Sequence, residues 1–501
     1  MNSQPAIRVR PRVQRPADPA PVNMAALLLI PGAIFILVTA AYLLPGLGAS
    51  SASDVNQALP IVLSLNCAYT AFRLVRADRV MIMSPLFWFL CTSVLYFGIG
   101  PLLYYYGAEE SIAYSQIFYF CNETTLLKTN MLNAFCITVV YAVCSIGMLT
   151  FGPPRRPGRP LFSLADRNRF ITITLIFGCP VRYILSPMNA RLDIQSYIPQ
   201  QILILGDLVY VGIYLLVNGF VRGDRNWLWV LVPLLGWELV NTVLGGSKLS
   251  FFLFGLSVFL GVYMARPSAK VFVLGVAIGV VGYLVMTQIT NAVRSVGLVR
   301  NVSMSKRAEA VSEFQEQYQW DSSDRFDTVQ KGWIRLAYWT AQAYCIEQYD
   351  HGYRGKTLEL IYWTFVPRLL YPDKPVITPG RQFNIEVTGN ENSKSAPGFF
   401  AEAYWAGGWL LAVAVSAYVG LLFAALTRVA SYSIRRSDYR WFPFIWFGIV
   451  SGLRPDDWFV AAFVASFPLA LLTCLIISLF MTPNRHDAAY RDIGQRDPGH
   501  G

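Results

Sequence analysis

The chain has 501 residues, of which 54% are hydrophobic and only 14% are charged, and its mean hydropathy is +0.42. Soluble proteins carry about 25% charged residues, so this composition excludes an ordinary soluble domain and indicates a polytopic protein of the lipid bilayer. The net charge of +11 could suggest nucleic acid, but most of the excess lies in short loops on one side of the predicted spans, so we expect no nucleic acid partner.

Apolar windows predict an all-α fold with about 12 transmembrane helices. Residues 1–24 are rich in proline and arginine and predict a disordered cytoplasmic tail. The predicted spans that follow are 25–46, 58–75, 84–105, 129–151, 170–186, 200–220, 227–245, 249–264, 271–289, 408–427, 441–453 and 458–481. Spans one to nine therefore occupy 25–289, a large loop occupies 290–407, the last three spans occupy 408–481, and 482–501 form a second tail.

The distribution of charge predicts the orientation. With both tails in the cytoplasm, the inside segments hold 23 Lys and Arg against 8 Asp and Glu, while the rest of the chain holds 18 against 22. This excess is the positive-inside pattern, and it places the large loop at the outer face of the membrane.

The large loop is rich in aromatic residues and is predicted to be partly helical. A helix is expected from about Arg325 to Tyr349, capped by Ser323 or Asp324, either lying on the membrane surface or packed on the spans. Cys121 and Cys345 both fall in outer loops, so they are a candidate pair for a disulfide.

Three charged residues need an explanation, two inside predicted spans and one near the outer end of its span, since a charge costs roughly 2.5–3.5 kcal/mol at the bilayer centre. They are Arg182, Asp207 and Glu238. Such side chains face the bundle interior or a wet cavity, so two interpretations stay open: pairing that fixes helix register, or a functional site. Lys248, in a glycine-rich outer turn, is expected to point into an outer cavity or to extend its ammonium group to the membrane surface.

Several cations are predicted at one depth, the outer membrane interface. They are Lys248, Arg294, Arg300, Arg368, Lys374, Arg381 and Arg454. Such a cluster suits a lipid-linked pyrophosphate, because arginine binds phosphate in a bidentate manner and preorganised cations stabilise a departing anion. An incoming hydroxyl also needs a base, and Glu402 is the first candidate, with Asp373, Asp456 and Asp457 behind it.

Motifs for other chemistry are missing from the sequence. There is no Walker A or dinucleotide-binding glycine motif, no HExxH and no paired CxxC. We therefore expect neither a cofactor nor a metal.

The segment from Val366 to Pro375, VPRLLYPDKP, resembles the PR-x-x-W-P-x-K-P pattern of bacterial oligosaccharide repeat-unit polymerases, the Wzy-type O-antigen and exopolysaccharide polymerases. Tyr353–Thr357 and Ala396–Gly408 fit the same pattern. The resemblance implies a GT-C-like membrane glycosyltransferase of the inner membrane that uses an undecaprenyl-pyrophosphate-linked oligosaccharide without metal. It also implies pyrophosphate-holding roles for Arg294, Arg368 and Arg381, with Lys248 where related enzymes often have arginine.

Two alternatives stay open at this point. The first is an O-antigen ligase, but Ser395-Ala396-Pro397 occupies the region where a ligase has its histidine. The second is a polysaccharide flippase or transporter, but no inverted repeat is visible. A separate flippase and a chain-length regulator are expected partners of a polymerase.

Overall fold

The computed structural model describes residues 52–116, 121–150, 160–185, 205–245, 247–296, 329–330, 332–366, 371, 379–389 and 395–481. Within these ranges the chain is helical and contains no strand. The predicted first span at 25–46, both tails and the proposed cap at Ser323 or Asp324 lie outside the described residues.

The helices are numbered in chain order, and most of them overlap a predicted span. They are α1 (Ala52–Ala77), α2 (Pro85–Ser93), α3 (Leu103–Tyr106), α4 (Glu109–Ser115), α5 (Glu123–Thr150), α6 (Leu164–Pro180), α7 (Leu208–Val221), α8 (Leu228–Leu244), α9 (Lys248–Ala265), α10 (Ala269–Val296), α11 (Trp339–Asp350), α12 (Ile361–Phe365), α13 (Pro379–Thr388), α14 (Phe399–Arg436), α15 (Phe442–Leu453) and α16 (Ser466–Phe480).

Seven helical segments in the described part of the chain are long and apolar enough to cross a membrane. They are Ala52–Ala77, Pro85–Tyr106, Glu123–Thr150, Lys248–Ala265, Ala269–Thr287, Phe399–Arg436 and Val460–Phe480. Leu205–Val221 and Leu228–Leu244 are apolar but shorter. The structure therefore confirms an all-helical protein with several membrane-length helices, while the full count of 12 spans stays a prediction.

The ends of the helices follow from local sequence. Ser163 and Asp166 form a reciprocal capping box at the start of α6, and the Ser84 hydroxyl accepts from the backbone N–H of Phe87 at the start of α2. Helix α14 begins after Gly398, whose φ of +82° is favourable only for glycine, and ends at Ser437 in the left-handed conformation.

Helices α5 and α14 form the centre of the bundle and make its most extensive pairwise contact. Helices α1 and α11 also pack on α5, and α11 packs on α14 as well. A second group packs around α7, which contacts α6, α8, α9 and α15. The core between them is aromatic, with Phe89, Phe399, Phe400, Phe423 and Phe463 fully buried. This packing fixes the start of α14 against the segment that follows α15.

The helix predicted from Arg325 to Tyr349 is not continuous: residues 329–330 and 332–334 are helical, but the chain turns before α11. The described helix α11 begins only at Trp339, after a turn at 335–338. The chain turns there because the Trp333 indole donates to the carbonyl of Ile99 at 2.8 Å while the Tyr338 hydroxyl donates to Asp456 at 3.0 Å. The helix is buried against α5 and α14 rather than lying on a membrane surface.

The candidate disulfide does not form, because Cys121 and Cys345 are both free and buried. Cys121 packs with Trp339 and Ala343, whereas Cys345 packs in a separate cluster with Trp405. Cys121 therefore packs against one side of α11, and the Cys345 side chain lies on another.

Candidate functional site

Glu402 lies in the first turn of α14 and is fully buried. Its Oε2 atom accepts a hydrogen bond from the backbone N–H of Phe459 at 2.5 Å, across 57 residues of sequence. The carboxylate is therefore held against the residue that precedes the π-helical turn Val460–Ala465. The start of α14 and the start of the last helical segment are joined at this point.

The other carboxylate oxygen of Glu402 is not used in the same way. Oε1 is also buried, and in place of a backbone N–H the buried Thr357 hydroxyl lies beside the carboxyl group, close enough to donate a hydrogen bond to it. One oxygen positions the group, and the other is able to accept a proton.

A second polar group surrounds the turn from Arg454 to Asp457. Arg454 forms an ion pair with Asp457 at 2.7 Å, and Tyr338 donates to Asp456 at 3.0 Å. Burial, reinforced by the charge of Asp457, raises the pKa of Asp456 to about 6. Arg454 is thus accompanied by carboxylates and is not part of a purely basic cluster in the described structure.

A cavity of about 120 Å³ lies between α7, α15 and the segment from 461 to 473. Asp207 and Arg454 line it together with the hydroxyl-bearing Ser451, Ser466 and Thr473. Two residues proposed from the sequence, one from an apolar span and one from a loop, are therefore brought to the same cavity.

Arg182 and Glu238, the other two intramembrane charges, form an ion pair. Arg182 Nε donates to both carboxylate oxygens of Glu238 at 2.9 Å, and the Tyr183 hydroxyl donates to Glu238 at 2.8 Å. The guanidinium also donates to the Tyr210 hydroxyl and lies 4.4 Å from the centre of that ring. The sequence left two interpretations open, a structural pair or a functional site. For Arg182 and Glu238 the structure shows the pair.

Lys248 occupies the first position of α9, which the Ser247 hydroxyl caps. Its ammonium group donates to the Thr287 hydroxyl at 3.0 Å and lies 5.5 Å from the centre of the Tyr283 ring. Lys248 therefore points towards α10, rather than extending freely to a surface.

The other predicted cations are placed only in part. Arg294 lies on α10, but its side chain is outside the described residues, as are Arg300, Arg368, Asp373 and Lys374 entirely. Arg381 is exposed on α13. In the described structure Glu402 contacts Phe459, five residues after Arg454. A common cluster of the seven cations stays a prediction.

Sequence reasoning missed a polar seam between α5, α11 and α14. Lys128 pairs with Asp350 and lies 5.3 Å from the centre of the Tyr404 ring, while Thr125 donates to Glu347 at 2.6 Å. In the sequence, only the polar residues just before the fourth predicted span pointed to this contact. The partners are 222 residues apart, so no local pattern shows that they meet.

No protein-family model matches this sequence, and comparison with curated proteins and with solved structures finds no similar protein.

Proposed function

We propose that this protein polymerises undecaprenyl-pyrophosphate-linked oligosaccharide repeat units into a surface polysaccharide or exopolysaccharide. It would act at the periplasmic face of the bacterial inner membrane, with 12 spans and both termini in the cytoplasm. The observation that supports the proposal is Glu402, a fully buried carboxylate that the Phe459 N–H holds in place, within the Ala396–Gly408 stretch that fits the same pattern as VPRLLYPDKP.

The proposed reaction is a glycosyl transfer that needs one base and several cations. Glu402 takes the proton of an acceptor hydroxyl, whose oxygen forms a bond to the anomeric carbon of the donor sugar. The bond between that carbon and the pyrophosphate oxygen breaks, and the pyrophosphate leaves with the electron pair. Arginines stabilise its charge, and the resemblance gives this role to Arg294, Arg368 and Arg381.

The remaining predicted residues have supporting roles in this proposal. Lys248, Arg300 and Lys374 would add positive charge near the pyrophosphate, while Asp373 would contact the glycan. Arg454 differs from them, because Asp457 already neutralises it in the described structure. We assign Arg454 to the glycan side of the site. The lipid-linked oligosaccharide is the substrate, and a chain-length regulator and a flippase are the proposed protein partners.

Glu402→Gln tests the base. The amide oxygen of glutamine can still accept from Phe459 N–H, so the fold should be retained, but it cannot take the hydroxyl proton. We expect polymerisation by the purified protein, measured on lipid-linked repeat units, to fall about 100-fold or more. Glu359→Gln, an exposed glutamate of the same loop, is the matched control and should keep normal activity.

The surface polysaccharide of the producing strain separates the competing functions. Deletion of the gene should remove the long-chain ladder and leave single repeat units exported. Absence of any exported unit would indicate a flippase instead, and intact free polymer that is no longer attached to the lipid A core would indicate a ligase. Normal chain growth by well-expressed Glu402→Gln would remove Glu402 from the chemistry.

A further inference from the structure

The cavity between α7 and α15 has a polar end and an aromatic wall. Asp207 lies at the start of α7 and makes no capping hydrogen bond to that helix, while Arg454 follows the end of α15. The Trp446 ring lines the cavity and lies against Tyr210, with ring centres 5.6 Å apart and planes inclined by 32°. The volume of about 120 Å³ is several times the ~15 Å³ that a single water needs, so the cavity has room for a group larger than a water molecule.

The charges around this cavity do not favour an anion. Arg182 is paired with Glu238, and Arg454 is paired with Asp457. Asp207 adds a further carboxylate that lies near both guanidinium groups. Two cations thus face at least three carboxylates among the described residues, so no positive charge is left for a phosphate.

The hydroxyl groups of the cavity are poised as acceptors. Ser451 donates to the carbonyl of Ala462 at 3.3 Å, Ser466 to that of Ala461 at 2.9 Å and Thr473 to that of Leu469 at 2.8 Å. Since each hydroxyl donates its single proton to the backbone, its oxygen keeps lone pairs for a ligand O–H. Together with Asp207, the cavity presents several acceptors and one guanidinium donor beside an aromatic ring.

We infer that this cavity binds one neutral, hydroxyl-rich sugar ring, the terminal residue of the acceptor glycan. Hydroxyl groups of the sugar would donate to Asp207 and Ser451 and accept from Arg454. The apolar face of the sugar ring would pack on Trp446. The inference rests on the proposed function, because it assigns the acceptor side of that reaction. The segment from Arg454 to Ala462 connects the two places: its ends line the cavity, and its Phe459 N–H holds Glu402.

Saturation-transfer NMR on the full-length protein in lipid nanodiscs tests this site without requiring turnover. The probes are methyl glycosides of neutral hexoses, 6-deoxyhexoses and N-acetylhexosamines, with inorganic pyrophosphate as a competitor. At least one glycoside should give a transfer signal, and its binding should weaken about ten-fold in Asp207→Asn. Glu110→Gln, at an exposed position, is the control and should bind as the native protein does.

Further outcomes decide the inference. Trp446→Phe keeps an aromatic wall and should bind more weakly than the native protein without loss of folding, measured by its melting temperature. Absence of signal from every glycoside, displacement by pyrophosphate, or unchanged binding in Asp207→Asn would each overturn the sugar site. Binding is measured without polymerisation, so the two proposals can fail separately. A protein that binds a glycoside but never extends a chain would keep the sugar site and contradict the proposed function.

Discussion

At the residue scale, the Arg182–Glu238 pair shows how a charge is accommodated inside an apolar bundle. Glu238 is completely buried, and its two oxygens accept from Arg182 and Tyr183. The charges lie on α8 and on the π-helical turn after α6, so the pair connects two elements that are far apart in sequence. Desolvation makes such a pair only weakly favourable overall, but loss of one partner leaves an uncompensated buried charge.

We predict that Arg182→Met and Glu238→Leu each lower the free energy of unfolding by about 3–5 kcal/mol. The double variant Arg182→Met/Glu238→Leu should recover most of that loss, because it leaves no buried charge. Thermal unfolding of the purified proteins in detergent checks this. Equal losses that simply add in the double variant would mean that the two residues do not act as a pair.

The extent to which single residues could be predicted depends on what marks them in the sequence. Asp207, Glu238 and Arg182 are conspicuous because charges interrupt apolar runs, and Glu402 because it precedes a span. The Tyr338–Asp456 and Lys128–Asp350 contacts join residues 118 and 222 positions apart, and no local pattern reports such pairing. The sequence also suggested that Arg454 is one of several cations for pyrophosphate, whereas in the structure Asp457 pairs with it.

At the element scale, α14 (Phe399–Arg436) consists of two helical parts that meet at Gly407 and Gly408, where the backbone is not helical. Gly408 has φ 64° and ψ −155°, a conformation that is essentially restricted to glycine. A Cβ atom there would lie 2.7 Å from the Tyr349 hydroxyl oxygen. The predicted start of a span at 408 therefore coincides with the start of the second helical part of α14.

We expect Gly408→Ala to destabilise the protein by at least about 1–3 kcal/mol through backbone strain, with the Tyr349 contact adding to the loss. Gly236→Ala is the control, because a Cβ at Gly236 of α8 meets nothing within 4 Å. That variant should keep or slightly raise the melting temperature, since alanine favours a helix. A fully stable Gly408→Ala protein would show that the break is not required.

At the scale of the whole molecule, apolar windows predicted the positions of the helices because burial in lipid requires long apolar segments. The helix predicted from Arg325 to Tyr349 is interrupted at 335–338 because contacts with other elements, Trp333 with Ile99 and Tyr338 with Asp456, determine where α11 starts. The orientation rests on the positive-inside excess of 23 Lys and Arg over 8 Asp and Glu.

Reporter fusions test this orientation. Alkaline phosphatase joined after Gly389, in the large loop, should be active because the enzyme folds outside the cytoplasm. Fusions after Ser268 and after Ser437 should be inactive, and green fluorescent protein at the same sites should give the opposite pattern. An active phosphatase at Ser437 would contradict the predicted topology.

Helix α15 has a consequence for the depth of the site. Its 12 residues, Phe442–Leu453, rise about 18 Å at 1.5 Å per residue, whereas the hydrocarbon layer is about 30 Å thick. If Arg440 marks the inner surface, Arg454 lies roughly 10 Å below the outer surface. The difference between the helix length and the layer thickness would be relieved by local thinning of the bilayer or by water entering from outside. Under the proposed function, the lipid-linked substrate would then react within a wet depression of the outer leaflet, without lifting its phosphates away from the membrane.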